Sequence, residues 1–288
     1  MPELFALSAA LLFGLVHFFS GLLARRADSY SVAAFGQVGG IVLMLAVAFV
    51  TPLAGADAPV LTASHVTSGA LGWGALSGVG TGIGVAYLYR GLASGRMSVV
   101  APLSSVGGVT LPVLVGVVVL GDRPSPLAWL GVAAAVPALW LVSRSDRPEE
   151  GGTAAGARFG LLAGVGFAVQ FLAISRIDPA AGLWPIVAAR TTATVTIALM
   201  ARAARATLRL PRGLVLPALA VGSMGAVALV LYQAATLHQL LALATVLASL
   251  YPAVPVVLAV VLLHERPTAV QIAGLLCTGA AVVLIALG

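Results

Sequence analysis

Residues 251–268 read YPAVPVVLAVVLLHERPT, and residues 108–125 read GVTLPVLVGVVVLGDRPS. Each is an apolar run with a proline at the same place, closed by an acid, an arginine, a proline and a hydroxyl residue. The shift between them is 143, and at that shift residues 89–141 overlie residues 232–284 without a gap. Twelve of the 53 positions are identical, among them Tyr89 on Tyr232, Pro112 on Pro255, Arg123-Pro124 on Arg266-Pro267 and Gly131 on Gly274. Self-similarity at a fixed spacing marks an internal duplication. A shift of 154 relates the openings of the two copies, Phe5 to Phe159, Leu7 to Leu161 and Phe13 to Phe167. The chain therefore divides into residues 1–143 and 159–288, joined by a connecting loop over 144–158.

The remainder has the same texture. Of 288 residues 60% are hydrophobic and 8% charged, against about 25% charged in an ordinary soluble domain. So few charges cannot clothe a water-facing surface, which excludes a soluble enzyme and a disordered chain. Reading apolar runs between breakers predicts ten spans: 4–23, 31–50, 69–89, 99–120, 126–142, 159–175, 182–201, 214–237, 240–263 and 268–287. Most approach the roughly 20 residues that a bilayer-crossing helix needs, with the fifth and sixth short. Helices are expected because unpaired backbone groups are too costly in hydrocarbon. The first run lacks a basic leader and is followed by Arg25 and Arg26, so it reads as a span and not as a cleavable signal. The single cysteine, Cys277, excludes an intrachain disulfide or a cysteine metal cluster.

The net charge of +6 is carried by 15 arginines, with no lysine. Loops after odd-numbered spans hold Arg25, Arg26, Arg90, Arg96, Arg144, Arg147, Arg158, Arg202, Arg205, Arg209, Arg212 and Arg266; the opposite loops hold Arg123 and Arg176. Basic residues collect in cytoplasmic loops, so this charge orients a membrane protein, no nucleic-acid partner is expected, and both termini are placed outside the cytoplasm. Five spans per copy is an odd number, which sets the second copy upside down relative to the first, as in inverted-repeat transporters. The predicted fold class is an all-α membrane protein with ten transmembrane helices as two inverted five-helix repeats, in the inner (plasma) membrane.

Leu263-His264-Glu265-Arg266-Pro267-Thr268, with Gln271 and Gly274 after it, resembles the motif that ends each repeat of EamA-type members of the drug/metabolite transporter superfamily. Gly121-Asp122-Arg123-Pro124-Ser125 with Gly131 is the first copy, where Ala128 stands in place of the glutamine. The resemblance covers the whole chain and implies a carrier of small metabolites, with spans one to four and six to nine around a central cavity. The motif itself reads as a helix start, with proline in the first turn, a hydroxyl cap and an acid near the positive helix end.

Arg190 is eight residues into the seventh span, about 12 Å deep at 1.5 Å per residue. A guanidinium there faces a wet cavity or a partner. Either it docks a carboxylate or phosphate, whose geometry its donor fork matches, or it pairs with backbone carbonyls or Asp178. His17, in the first span, is either a proton-coupling group or a histidine bonded within the bundle. Gln37, Ser104, Gln170, Tyr232, Gln233 and Tyr251 are the remaining polar candidates, as pocket lining or as glue between helices. Gln37 and Arg190 occupy near-equivalent positions of the two copies. Gly74, Gly78 and Gly82 form a small-residue stripe in the third span, with Gly80 and Gly84 on a second face, and Gly156, Gly160 and Gly164 lead into the sixth. Pro102, Pro112, Pro252 and Pro255 are candidate hinges.

No acid falls inside a span, and no nucleotide-binding loop occurs. No catalytic residue, metal site or cofactor is expected. The expected function is a secondary transporter of a small zwitterionic or anionic, amino-acid-like metabolite, exporting it by alternating access. A lipid or polyprenyl-phosphate flippase of the same fold is the alternative. The partners are the small-molecule substrate and the lipid bilayer, and a homodimer is compatible with the sequence.

Overall fold

A computed structural model describes residues 2–53, 65–115, 125–143, 152–174, 176–238, 251 and 253–287. Among these are ten α-helices: α1 (Pro2–Ala24), α2 (Ser29–Leu53), α3 (Ser68–Ser94), α4 (Met97–Val115), α5 (Pro126–Ser143), α6 (Gly152–Ile174), α7 (Trp184–Ala203), α8 (Arg212–His238), α9 (Ala253–Leu262) and α10 (Ala269–Leu287). Six of them, α1, α2, α3, α6, α7 and α8, are long and apolar enough to cross a membrane. Leu216 is 73% exposed and Leu276 71% exposed, and such outward leucines belong in hydrocarbon. The chain is a helical, multi-pass membrane protein.

Local chemistry sets the helix ends. Thr67 Oγ1 accepts from Ala70 N at 3.0 Å to start α3, and Asp28 Oδ1 accepts from Ser31 N at 2.9 Å to start α2. At α10, Thr268 Oγ1 accepts from Gln271 N at 3.3 Å while Gln271 Oε1 accepts from Thr268 N at 3.0 Å, a reciprocal capping box. At α5, Ser125 Oγ accepts from Leu127 N at 3.1 Å. With Ala128 where Gln271 stands in the second copy, α5 keeps only the hydroxyl half of that arrangement.

Two expectations change. The sixth span is not short: α6 has 23 residues and starts at Gly152, inside the stretch expected to be connecting loop. Gly152 and Gly156 read as breakers, yet Gly156 sits against the α3–α4 turn, where a Cβ would lie 3.0 Å from Gly95 Cα. Packing outweighs glycine's weak helix propensity. Pro255 falls in the first turn of α9 and not within a long helix, and proline is tolerated in a first turn. The expected ninth span before residue 251, Pro252, Arg123, Arg144 and Arg147 lie outside the described residues.

The helices pair with a regular pattern. α3 packs along α6 and α7, and α8 along α1 and α2; α4 meets α6, and α9 meets α1; α5 pairs with α10, and α2 with α7. Exchanging each helix for the one five places away maps these pairs onto one another, whereas the smaller α1–α3, α2–α3 and α4–α10 contacts have no counterpart of like extent among the described residues. Glycine seams make the approaches close. A Cβ at Gly82 would lie 2.9 Å from the Ala193 carbonyl oxygen of α7, and one at Gly84 would lie 2.7 Å from the Phe167 ring of α6. Gly160 and Gly164 face α4, where Cβ atoms would meet the Val100 oxygen at 3.0 Å and the Gly107 Cα at 2.8 Å. The Gly36–Gly222 crossing of α2 and α8 is a further seam.

Loops sort to two ends. At one end Arg25 Nη2 donates to Gly95 O at 3.2 Å and pairs with Glu265 at 3.4 Å. There too Ser31 Oγ lies 3.1 Å from Thr207 O, and Arg96 donates to Arg266 O. These bonds join the α1–α2, α3–α4, α7–α8 and α9–α10 turns. At the other end His65 N donates to Ala180 O at 3.2 Å, joining the chain before α3 to the α6–α7 turn, which carries Arg176.

Candidate functional site

Arg190 projects from α7 at mid-helix, and its Nη1 donates to Gln37 Oε1 of α2 at 2.9 Å. Gln37 is buried. Glycines make room for the guanidinium. A Cβ at Gly40 of α2 would stand 3.4 Å from Arg190 Cδ, and one at Gly225 of α8 would stand 3.9 Å from Nη2 and 3.8 Å from Val16 of α1. Asp178, the alternative partner, accepts instead from Ala180 N at 2.9 Å in the α6–α7 turn. No carboxylate pairs with Arg190 among the described residues, and four of its five N–H donors remain for something else.

Val16 leads along α1 to His17 and, one turn on, Ser20. The hydroxyls of Ser20 and of Tyr89 on α3 share a 2.7 Å hydrogen bond. The His17 ring stands edge-on to Tyr251, centroids 5.2 Å apart, and parallel to Phe167 of α6 at 6.4 Å. Its Nδ1 is buried without a hydrogen-bond partner among the described residues. An orphaned buried nitrogen is costly to hold and is a ready contact for a ligand. Gly14 admits this arrangement, since a Cβ there would lie 2.7 Å from the Tyr251 carbonyl oxygen. The Tyr251 hydroxyl is held at 2.7 Å by Ser105 of α4.

Of the sequence candidates, the structure brings Arg190 to Gln37 and, as a second pair, His17 to Tyr251. Ser104 joins neither: its hydroxyl donates to Ala101 O at 2.8 Å, and the residue sits on the glycine seam with α6. Its neighbour Ser105 makes the contact. Gln170 accepts from Thr81 Oγ1 of α3 at 2.9 Å, one turn from Phe167. Tyr232 is half-buried on α8, two turns beyond Gly225, and the Gln233 side chain lies outside the described residues. Sequence reasoning missed Ser20, Tyr89 and Ser105. For Tyr89 a signal existed, since it is the repeat equivalent of Tyr232.

The arrangement offers a fixed positive charge, amide and phenol hydrogen bonds and an aromatic wall. Among the described residues no three His, Cys, Asp or Glu side chains group closely enough to hold a metal ion.

No protein-family model and no curated protein matches the sequence. A solved structure described only as "Crystal structure of protein" is similar over 99% of this chain and 96% of that one, with a TM-score of 0.60 and 17% identity. At that identity the likeness is one of fold.

Proposed function

We propose that the chain is a secondary carrier of EamA type, with ten spans in two inverted five-helix repeats, moving a small anionic or zwitterionic metabolite by alternating access. The inverted arrangement is supported by the five-place exchange pattern of helix pairs and by the loop bonds. By those bonds α1 runs toward the arginine-rich end while its counterpart α6 runs away from it. Arginine excess marks that end as cytoplasmic in a plasma membrane.

The observation that carries the reading is Arg190: an arginine at mid-helix, fixed by one amide, flanked by glycines and lacking an acid among the described residues. A buried cation without a counter-ion is unfavourable, and a substrate carboxylate completes it with two parallel charge-assisted bonds. The His17–Tyr251 wall then receives the remainder of the solute. Binding energy at Arg190 is released on either side as the two halves rock around it. Export is the proposed direction.

The test is uptake and counterflow of labelled amino acids and carboxylates in proteoliposomes of the purified protein. Saturable flux of an anionic or zwitterionic solute, absent from empty vesicles, is expected. Flux restricted to cations, or to lipids, overturns the reading.

A further inference from the structure

A groove of about 400 Å³ runs between α1 and α8 at the arginine-rich end. Its floor and walls include Phe19, Leu22, Leu214, Pro217 and Val221, and Arg26 stands at its outer end. Arg25 and Arg26 are adjacent in sequence but differ in circumstance. Arg25 is engaged by the Leu92 and Gly95 carbonyls and by Glu265. Arg26 is exposed, and its side chain has no hydrogen-bond or ionic partner among the described residues. Arg212, next to the groove residue Gly213, is exposed as well, and the nearby acid Asp28 is occupied in capping α2. The groove is therefore apolar along its length and positive at one end.

From Phe19 to Arg26 is seven residues, about 10 Å along the helix. That fits within one leaflet, half of a hydrocarbon core of about 30 Å. A path for carrying lipid across would need the full depth, whereas this groove seats a molecule in place. We propose that it is the binding site of an anionic phospholipid of the leaflet on the arginine-rich side, with the phosphate on Arg26 and an acyl chain along Phe19, Leu22, Pro217 and Val221. Charge complementarity selects the headgroup, and the apolar walls select a lipid over a free anion. The site lies where the two halves meet, apart from Arg190, and does not depend on what the central region carries.

The experiment exposes the purified full-length protein to mixed micelles of phosphatidylglycerol and phosphatidylcholine in equal amounts and measures retained lipid by mass spectrometry. The wild type is expected to retain phosphatidylglycerol about fivefold over phosphatidylcholine, the order expected from one arginine near an anionic headgroup. Arg26→Gln should bring the ratio close to one. Ala220→Leu, which fills the groove from an exposed position, should reduce retention of both lipids. Arg202→Gln removes the same charge from the same end outside the groove and should leave the ratio unchanged. Equal retention by the wild type, an unchanged ratio in Arg26→Gln, full retention in Ala220→Leu, or an equal fall in Arg202→Gln overturns the proposal.

Discussion

Gln37 and Arg190, 153 residues apart in the chain, meet in a 2.9 Å hydrogen bond where α2 crosses α7. They hold near-equivalent places in the two halves of the sequence. One half supplies a cation and the other the amide that aims it. Arg190→Ala should lower initial uptake of a carboxylate solute by about tenfold or more, the range for losing hydrogen bonds to a charged group. Arg190→Lys should recover only part, since an ammonium lacks the planar fork. Gln37→Leu should raise KM more than it lowers the maximal rate, because the charge stays but its aim is lost. Concentration-dependent uptake in proteoliposomes reads all three.

The glycine seams predict position-specific intolerance. Gly82→Val should cost about 1–3 kcal/mol as an overpacked contact, because even a Cβ would lie 2.7 Å from Thr196 Cβ. Gly72, on the same helix, has nothing within 4 Å of its would-be Cβ. Gly72→Ala should be neutral or stabilising by up to about 1 kcal/mol, the helix-propensity difference. Thermal unfolding in detergent separates the two outcomes.

His264 follows α9 with a left-handed backbone, φ 55°, and Glu265 N donates back to Ala259 O at 3.1 Å across it. A left-handed residue that closes a helix is usually glycine. The matching residue of the first copy is Gly121. His264→Gly should therefore stabilise the protein by about 1 kcal/mol, relieving the left-handed penalty, and raise Tm accordingly.

Glu265 Oε1 accepts from Met97 N at 3.1 Å and pairs with Arg25 at 3.4 Å. An acid of the second copy thereby caps the fourth helix of the first. Glu265→Gln keeps an acceptor for Met97 and should cost less than about 1 kcal/mol, as for a partly exposed pair. Glu265→Ala removes the cap as well and should cost about 1 kcal/mol more. In a Cys277→Ser background, labelling of Ser105→Cys from the arginine-rich side should rise in both variants, and more in the alanine one.

Much of this was legible beforehand. Arginine placement grouped the α1–α2, α3–α4, α7–α8 and α9–α10 turns that the loop bonds join. The near-equivalence of Gln37 and Arg190 was visible, but their meeting was not, since backbone carbonyls or Asp178 were the expected partners of Arg190. A helix start at Thr268 was legible from the proline and hydroxyl there, whereas the reciprocal bond from Gln271 came only with the fold. Other features were hidden for physical reasons. Ser104 and Ser105 differ only by one helical step of about 100°, and without knowing where α9 lies nothing in the sequence chooses between them. Ser20 and Tyr89 look like ordinary members of apolar runs until folding places their hydroxyls together. Arg25 and Glu265 are 240 residues apart, and no local pattern links them. Gly152 and Gly156 misled because their worth lies in a neighbour's closeness, which propensity does not report.

The close crossings of α3 on α7 and of α2 on α8 have a mechanical corollary. Where side chains interlock, one rod can pass another only by changing rotamers along the whole contact. At Gly36 against Gly222, and along Gly74, Gly78 and Gly82, the glycines leave few such teeth, and hydroxyls latch the crossings instead: Thr192 Oγ1 donates to Ala75 O at 2.8 Å and Ser223 Oγ to Gly39 O at 3.1 Å. Shifting one rod along its neighbour at these places asks first for the release of those latches.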